Sequence, residues 1–160
     1  EKREELTTEG GLDAQRLLER LRGFIAPLKE AGIRISLFID PVAEQIDAAA
    51  KAGADIVELH TGEYAREWER AGEDGACPRA RLKQLASLLF GASHAAGLGL
   101  EVHAGHGLNF ANVAPVAAIP EIVELNIGHF LIGEAVFSSL DEAVREMRRR
   151  MDAGRAGAAA

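Results

Sequence analysis

Two histidines and two glycines occupy four of five consecutive positions within LEVHAGHGLNF, residues 100–110. Histidine is the side chain whose ordinary pKa lies nearest neutral pH, so it can donate and accept protons during a reaction. His106 is flanked by Gly105 and Gly107. The two glycines allow the backbone to bend sharply and leave the imidazole uncovered by bulky neighbours. The pattern therefore predicts that His106 transfers protons.

Three further histidines fall at, or just beyond, the ends of short apolar runs: His60, His103 and His129. In parallel α/β sheets, ligands meet the carboxyl ends of the strands, so we expect these histidines to share one rim with His106. For His60 and His103 the alternative is a bond to a backbone carbonyl, and for His129 it is a helix cap. His94 falls in a helical pattern and is predicted to be a solvated surface residue.

Two glycine-containing segments could hold an anion. NIGHFLIGEAVFSS, residues 126–139, places Gly128 between a strand and a short apolar helix. Backbone N–H groups at a helix start attract phosphate, and a barrel enzyme often binds phosphate at such a place. The second segment, TTEGGLD, offers Thr7 as a hydroxyl ligand. The alternative there is a plain helix entry capped by Thr8 or Asp13.

Four apolar runs are short enough to be buried strands, at 34–40, 55–60, 99–105 and 123–128. Amphipathic patterns predict helices at 12–31, 42–54, 78–97 and 140–154, with Pro27 kinking or breaking the first. An Ala-Gly pair precedes each of the first three strands, which predicts helix ends at Gly32, Gly53 and Gly97. This repeated helix–glycine–strand order predicts an α/β fold with a parallel sheet and its helices on one face.

The composition narrows the class of protein. The 160 residues carry a formal charge of −7, which argues against a nucleic-acid-binding surface. Cys77 is the only cysteine, so neither a disulfide nor a cysteine-based zinc site forms within one chain. No apolar run approaches a membrane span, and the charged start EKREELTTEGG is unlike a signal peptide. A cytoplasmic protein is the resulting prediction.

Several phrases occur together and in order: TTEGGLD, SLFIDP, ELHTGEYA, VHAGHGLN and AAIPEIVELNIGHFLIGEAVF. With them the sequence resembles the pyridoxine 5′-phosphate synthase family over residues 1–152. The resemblance implies a TIM (β/α)8 barrel of which this chain covers the last four βα units, strands five to eight. Residues 1–154 would then be the C-terminal half of one barrel domain, and 155–160 a disordered tail. The family forms homo-oligomers, typically octamers.

The resemblance also implies a reaction and roles for five residues. The family condenses 1-deoxy-D-xylulose 5-phosphate with 3-amino-2-oxopropyl phosphate, and uses no cofactor or metal. By resemblance His106 is the proton donor, and Gly107, Gly128 and His129 hold the aminooxopropyl phosphate. Thr7 contacts the deoxyxylulose phosphate. The family's other acid–base histidine and glutamate belong to the half that this chain lacks, so we expect the chain to be inactive alone.

Three alternatives stay open on the sequence. One is another phosphate-binding barrel enzyme, such as a sugar-phosphate epimerase or isomerase. Another is a metal-dependent hydrolase, because nitrogen ligands suit zinc; its ligands would be the histidines at 60, 103, 106 and 129. The last is a non-catalytic half-barrel that only self-associates.

Overall fold

The computed structural model describes residues 10–71 and 78–158. The helices and strands follow one another in this order: α1 Leu18–Glu30, β1 Ser36–Ile39, α2 Ala43–Ala52, β2 Ile56–His60, α3 Gly62–Ala71, α4 Pro78–Gly97, β3 Glu101–Gly105, α5 Val113–Ala117, β4 Ile122–Asn126, α6 His129–Ala135 and α7 Leu140–Ala158. Thr7 and Cys77, both named in the sequence predictions, lie outside the described residues.

The four strands form one parallel sheet in the order β1-β2-β3-β4, which confirms the predicted topology. Each strand therefore pairs with the next one along the chain, and helices make the connections between them. The register is regular except for an irregularity between Val102 and His103, where β3 pairs with β4. All four carboxyl ends consequently lie at the same edge of the sheet.

The two faces of the sheet differ in chemistry because successive side chains of a strand point to opposite sides. Buried aliphatic residues of one face join α1, α2 and α4 in the hydrophobic core: Leu37, Ile39, Val57, Leu59, Val102, Ala104 and Ile122. The alternate positions of the strands carry mostly polar groups: Glu58, His60, Glu101, His103, Glu124 and Asn126, with Phe38 among them. The helices thus pack against the apolar face, and the second face is a polar surface.

The predicted glycine stops are correct at two positions and displaced at the third. Gly32 and Gly53 have φ of 77° and 93°, the left-handed conformation that ends a helix. At α4 the predicted Gly97 is instead the last helical residue, and Gly99 takes the positive φ of 82°. The amide of Leu100 then donates to the carbonyl of Ala95, which closes the same kind of turn two residues later.

Helix α1 begins at Leu18 rather than at the predicted Leu12, because the preceding segment lies against β1. The amide of Leu12 donates to the carbonyl of Phe38 at 2.7 Å, which holds that residue in line with the strand. The helix also continues to Glu30, so Pro27 lies inside it and does not end it there.

Helix α7 continues to Ala158, so the prediction of a disordered tail is wrong for residues 155–158. Two contacts hold this last turn. Arg155 donates to the carbonyls of Ile119 and Ile122, and Gly154 packs so closely on α5 that a Cβ there would lie 3.0 Å from the carbonyl carbon of Ala114. Among the described residues, no helix is both long and apolar enough to cross a membrane.

Candidate active site

The carboxyl ends of the strands bring most of the predicted site residues together. His60 is the last residue of β2, His106 directly follows β3, and His129 begins α6 after β4. His103 is an exception, since it lies in the middle of β3 rather than at its end. Its Nε2 lies 2.9 Å from Glu101, and its Nδ1 lies 3.5 Å from Glu124. His103 is therefore tied to carboxylates on the polar face, not to a backbone carbonyl.

His106 has an unusual backbone conformation that places it at the mouth of the sheet. Its φ is +85°, in the left-handed region that residues other than glycine rarely adopt. The Thr61 hydroxyl lies 2.5 Å from the His106 carbonyl oxygen and 2.7 Å from that of Gly105, and its proton serves both. A Cβ at Gly105 would meet the Glu58 carboxylate and lie 2.8 Å from the backbone carbonyl oxygen of Asn126, so that position must be glycine. The local sequence thus turns the chain and presents an exposed imidazole.

An open pocket of about 520 Å³ lies beside His106. Its walls come from all four described strands or the loops that follow them: Phe38, Glu58, His106, Gly107, Leu108, Asn126, Ile127, Gly128 and His129. Four of the five predicted site residues therefore surround one space. The fifth, Thr7, is outside the described residues.

Glu58 is a pocket residue that the sequence reasoning missed. It is the only charged residue within the strand Ile56–His60, and its carboxylate accepts a 2.8 Å hydrogen bond from the Asn126 amide. A charged side chain in the middle of an otherwise apolar run was the available signal. The pocket thus combines an imidazole with a carboxylate on the neighbouring strand.

Gly128 immediately precedes α6, as predicted, and the amide of Ile132 bonds back to its carbonyl. Its φ of −111° is open to any residue, and a Cβ there would meet nothing within 4 Å. Gly128 is therefore not required by the backbone conformation. Its glycine character leaves room beside the first amides of the helix, which have no partners within the helix itself.

Asp40 and His60 form a pair next to this pocket. Oδ1 of Asp40 lies 3.0 Å from Nδ1 of His60. Helix α2 has no side-chain cap, and the Asp40 carboxylate just before that helix is engaged by the histidine. For His60 a bond to a backbone carbonyl was the alternative to a role at the rim, and the structure gives its Nδ1 a carboxylate partner instead.

The surroundings of two neighbouring groups on α3, Tyr64 and Glu63, shift their pKa values in opposite directions. Burial raises the pKa of Tyr64 to about 12, and its hydroxyl donates to the Asn112 carbonyl at 2.8 Å. A hydrogen bond from Arg66 lowers the pKa of Glu63, which keeps that carboxyl ionised. Next to the pocket, α3 thus contributes a neutral phenol and a paired carboxylate rather than a group ready to exchange protons.

The histidines do not assemble into a metal centre. Within residues 10–71 and 78–158, no three His, Cys, Asp or Glu side chains are arranged to hold a metal ion. His60 and His103 are each turned toward carboxylates. The zinc-hydrolase alternative therefore lacks the ligand geometry it needs in the described part of the chain.

The fold and the pocket define an α/β protein of repeated βα units, with histidines and a carboxylate around one pocket of a parallel sheet. Residues 1–153 match the family described as "Pyridoxal phosphate biosynthesis protein PdxJ". The chain belongs to this family, which confirms the resemblance found in the sequence.

Curated relatives agree with the family match. A pyridoxine 5′-phosphate synthase of Jannaschia sp. (strain CCS1) is 56% identical over 155 residues, which cover 97% of this chain and 60% of the relative. One of Roseobacter denitrificans is 55% identical over 156 residues, 98% of this chain and 61% of the relative. One of Caulobacter vibrioides is 56% identical over 155 residues, which cover 97% of this chain and 59% of the relative. The chain thus spans about 60% of the length of these relatives.

Proposed function

We propose that the complete enzyme is a pyridoxine 5′-phosphate synthase. It condenses 1-deoxy-D-xylulose 5-phosphate with 3-amino-2-oxopropyl phosphate, and releases inorganic phosphate and water. The observation that carries the proposal is the single pocket that holds His106, Gly107, Gly128 and His129 together. Family membership and the names of the relatives support the same reaction.

His106 acts as the general acid. Joining an amine to a ketone, and later closing the ring, both expel hydroxyl groups, and each leaves as water only after it takes up a proton. The imidazole is exposed at the pocket and held on a turned backbone, so it can reach substrate atoms pinned elsewhere by their phosphates. A histidine near neutral pH is suited to supply these protons.

Glu58 supplies negative charge on the facing wall. When an amine condenses with a ketone under acid catalysis, the intermediate carries positive charge on nitrogen. A fixed carboxylate in the same pocket stabilises that charge as it develops. The hydrogen bond from Asn126 holds the carboxylate in place, so its favourable field needs no rearrangement during the reaction.

The aminooxopropyl phosphate binds at Gly107, Gly128 and His129. The start of α6 offers backbone amides, and the imidazole of His129 offers a further donor beside them. This pairing of amides with a histidine suits a phosphate group. The second substrate phosphate is assigned to Thr7 by the family resemblance alone.

Residues 1–154 form the C-terminal half of a (β/α)8 barrel in this proposal. Among the described strands, β1 and β4 each pair with one neighbour only, so each has an edge on which a further strand could add. The polar face that carries Glu58 and His103 would then line the barrel interior. The length of the relatives leaves room for four more βα units. We further propose a cytoplasmic homo-oligomer, and no activity for this chain by itself.

The test is a direct assay of the complete enzyme with both phosphorylated substrates. Mass spectrometry should detect pyridoxine 5′-phosphate, and phosphate release should match it mole for mole. A parallel incubation with each substrate alone should yield nothing. Isomerisation of a sugar phosphate without condensation would overturn the proposal in favour of the epimerase alternative.

A further inference from the structure

A second histidine lies beside the pocket, and the proposed reaction gives it no task. The side chain of His60 is only 4% exposed, and its Nδ1 lies 3.0 Å from Oδ1 of Asp40. A carboxylate oxygen can only accept, so the neutral ring must carry its proton on Nδ1. The other nitrogen, Nε2, is left as a bare acceptor.

Nε2 of His60 is buried and has no hydrogen-bond partner among the described residues. Buried polar atoms almost always have partners, so an unpaired nitrogen at this place calls for a functional reason. Solvent does not reach the atom, and His60 is not among the residues that line the pocket of His106. His60 therefore acts through the side chains that it touches.

The ring of His60 touches two aromatic neighbours at the pocket. Its centroid lies 5.0 Å from that of His106 at an interplanar angle of 69°, and 5.1 Å from that of Phe38 at 73°. Both are edge-to-face contacts, which favour one relative orientation of the rings. Gly62 makes this approach possible, since a Cβ there would collide with His60 and lie 3.3 Å from Cδ2 of His106.

We propose that His60, oriented by Asp40, is a positioning residue for His106, the general acid. The ring of His60 fixes the tilt of the His106 ring. The proton of His60 stays on Nδ1, the nitrogen that faces Asp40, and the negative charge of Asp40 favours the protonated form of His106. This inference rests on the proposed function for its kinetic consequences, but not for its structural ones.

Other charged groups also face the two rings. Glu63 and Arg66 of α3 lie near His60, and Glu58 and His129 line the pocket with His106. None of them changes in the variants proposed here. A matched control exists elsewhere in the chain, because Asp47 lies 2.8 Å from Nε2 of His94 in a second aspartate–histidine pair, between α2 and α4.

The kinetic arm compares Asp40→Asn, His60→Gln and the control Asp47→Asn in the complete enzyme. Loss of the ring contact in His60→Gln should lower kcat about tenfold or more, with KM changed less than threefold, because small misplacements of a catalytic group are costly. Asp40→Asn keeps a hydrogen-bond acceptor but removes the charge. The alkaline limb of its kcat profile should move to lower pH, because the negative charge that favours a protonated His106 is removed. Asp47→Asn should match the parent.

The second arm needs no activity. Long-range proton–nitrogen NMR of the histidine rings should place the His60 proton on Nδ1 at neutral pH. In Asp40→Asn the titration of the His106 ring should move to lower pH, while Asp47→Asn should alter only His94. A His60 proton on Nε2, or an unchanged His106 titration in Asp40→Asn, would overturn the positioning role. If the NMR results hold and the parent makes no product, the proposed reaction fails and the positioning role stands.

Discussion

Replacing His106 by asparagine separates the role of its proton from the role of its backbone conformation. His106 has φ of +85°, and asparagine is one of the few residues that tolerate this region. Asparagine also still donates a hydrogen bond, but it cannot exchange a proton near neutral pH. The His106→Asn variant should therefore keep the backbone conformation of the loop and lose the ability to donate a proton.

The expected losses of activity and stability differ in size. A positioned general acid is worth about 10²–10⁴-fold in rate, or roughly 3–5 kcal/mol of barrier. Folding loses the ring contacts with His60 and Phe38. Contacts of this kind are worth about 0.5–1.5 kcal/mol each, so the free energy of unfolding should fall by roughly 1–3 kcal/mol.

Steady-state kinetics and urea unfolding of the complete enzyme measure these two quantities. In His106→Asn, kcat should fall by at least a hundredfold while KM for each substrate stays close to the parent value. His103→Asn is the matched control, since the same substitution is made on β3 at a side chain that does not line the pocket. It should cost less activity. Near-normal turnover of His106→Asn would refute the assignment of His106 as the acid.

Three further predictions concern binding, titration and packing. Millimolar phosphate should shift the amide NMR signal of Gly128, and an unmoved signal would count against the anion site. Tyr64 is the only tyrosine, so an ultraviolet titration should show its ionisation near pH 12. Its pKa is raised from 10.0 in the folded protein. The stability that this group contributes is therefore intact below pH 10 and is lost as the pH rises toward 12. Gly154→Ala should lower the free energy of unfolding, although alanine normally favours a helix by about 1 kcal/mol, because the new methyl group collides with the backbone of α5. Higher stability of that variant would contradict the packing.

Much of the fold was accessible from sequence because its signals are local. Short apolar runs predicted all four strands to within a few residues, and positive-φ glycines explain the helix ends at Gly32 and Gly53. Gly99 was missed since two glycines, at 97 and 99, compete for one turn, and only three-dimensional packing chooses between them.

Helix α3 was missed for a different reason. Its sequence, GEYAREWERA, is highly charged, and none of the predicted helices covers it. Its few apolar side chains are nevertheless well placed: Tyr64 is buried, and Trp68 packs under the guanidinium of Arg81 at 3.8 Å. The apolar residues of α3 recur at helical spacing, so the periodic signal was present in the sequence, and the many charged residues of the segment hid it.

The candidate site was only partly predictable. The glycine-flanked histidine is a local pattern, and it identified His106 correctly as an exposed residue at the carboxyl ends of the strands. Glu58 and the Asp40–His60 pair depend on strand alternation and register, which bring together side chains 20 residues apart. His103 was misplaced because it was grouped with the strand end, although the predicted run 99–105 and β3 both end at Gly105 and leave it two residues inside the strand.

The spacing of the paired strands has a consequence for the order of folding. Leu37 of β1 pairs with Val57 of β2, and Val102 of β3 pairs with Ile122 of β4, each across 20 residues of chain. Val57 pairs with Val102 across 45 residues, because α3 and α4 both lie between β2 and β3. Closing the longer loop costs about 0.7 kcal/mol more in chain entropy. The two short βαβ units should therefore form first, and the β2–β3 seam, where the Thr61 hydroxyl fixes the His106 turn, should close last.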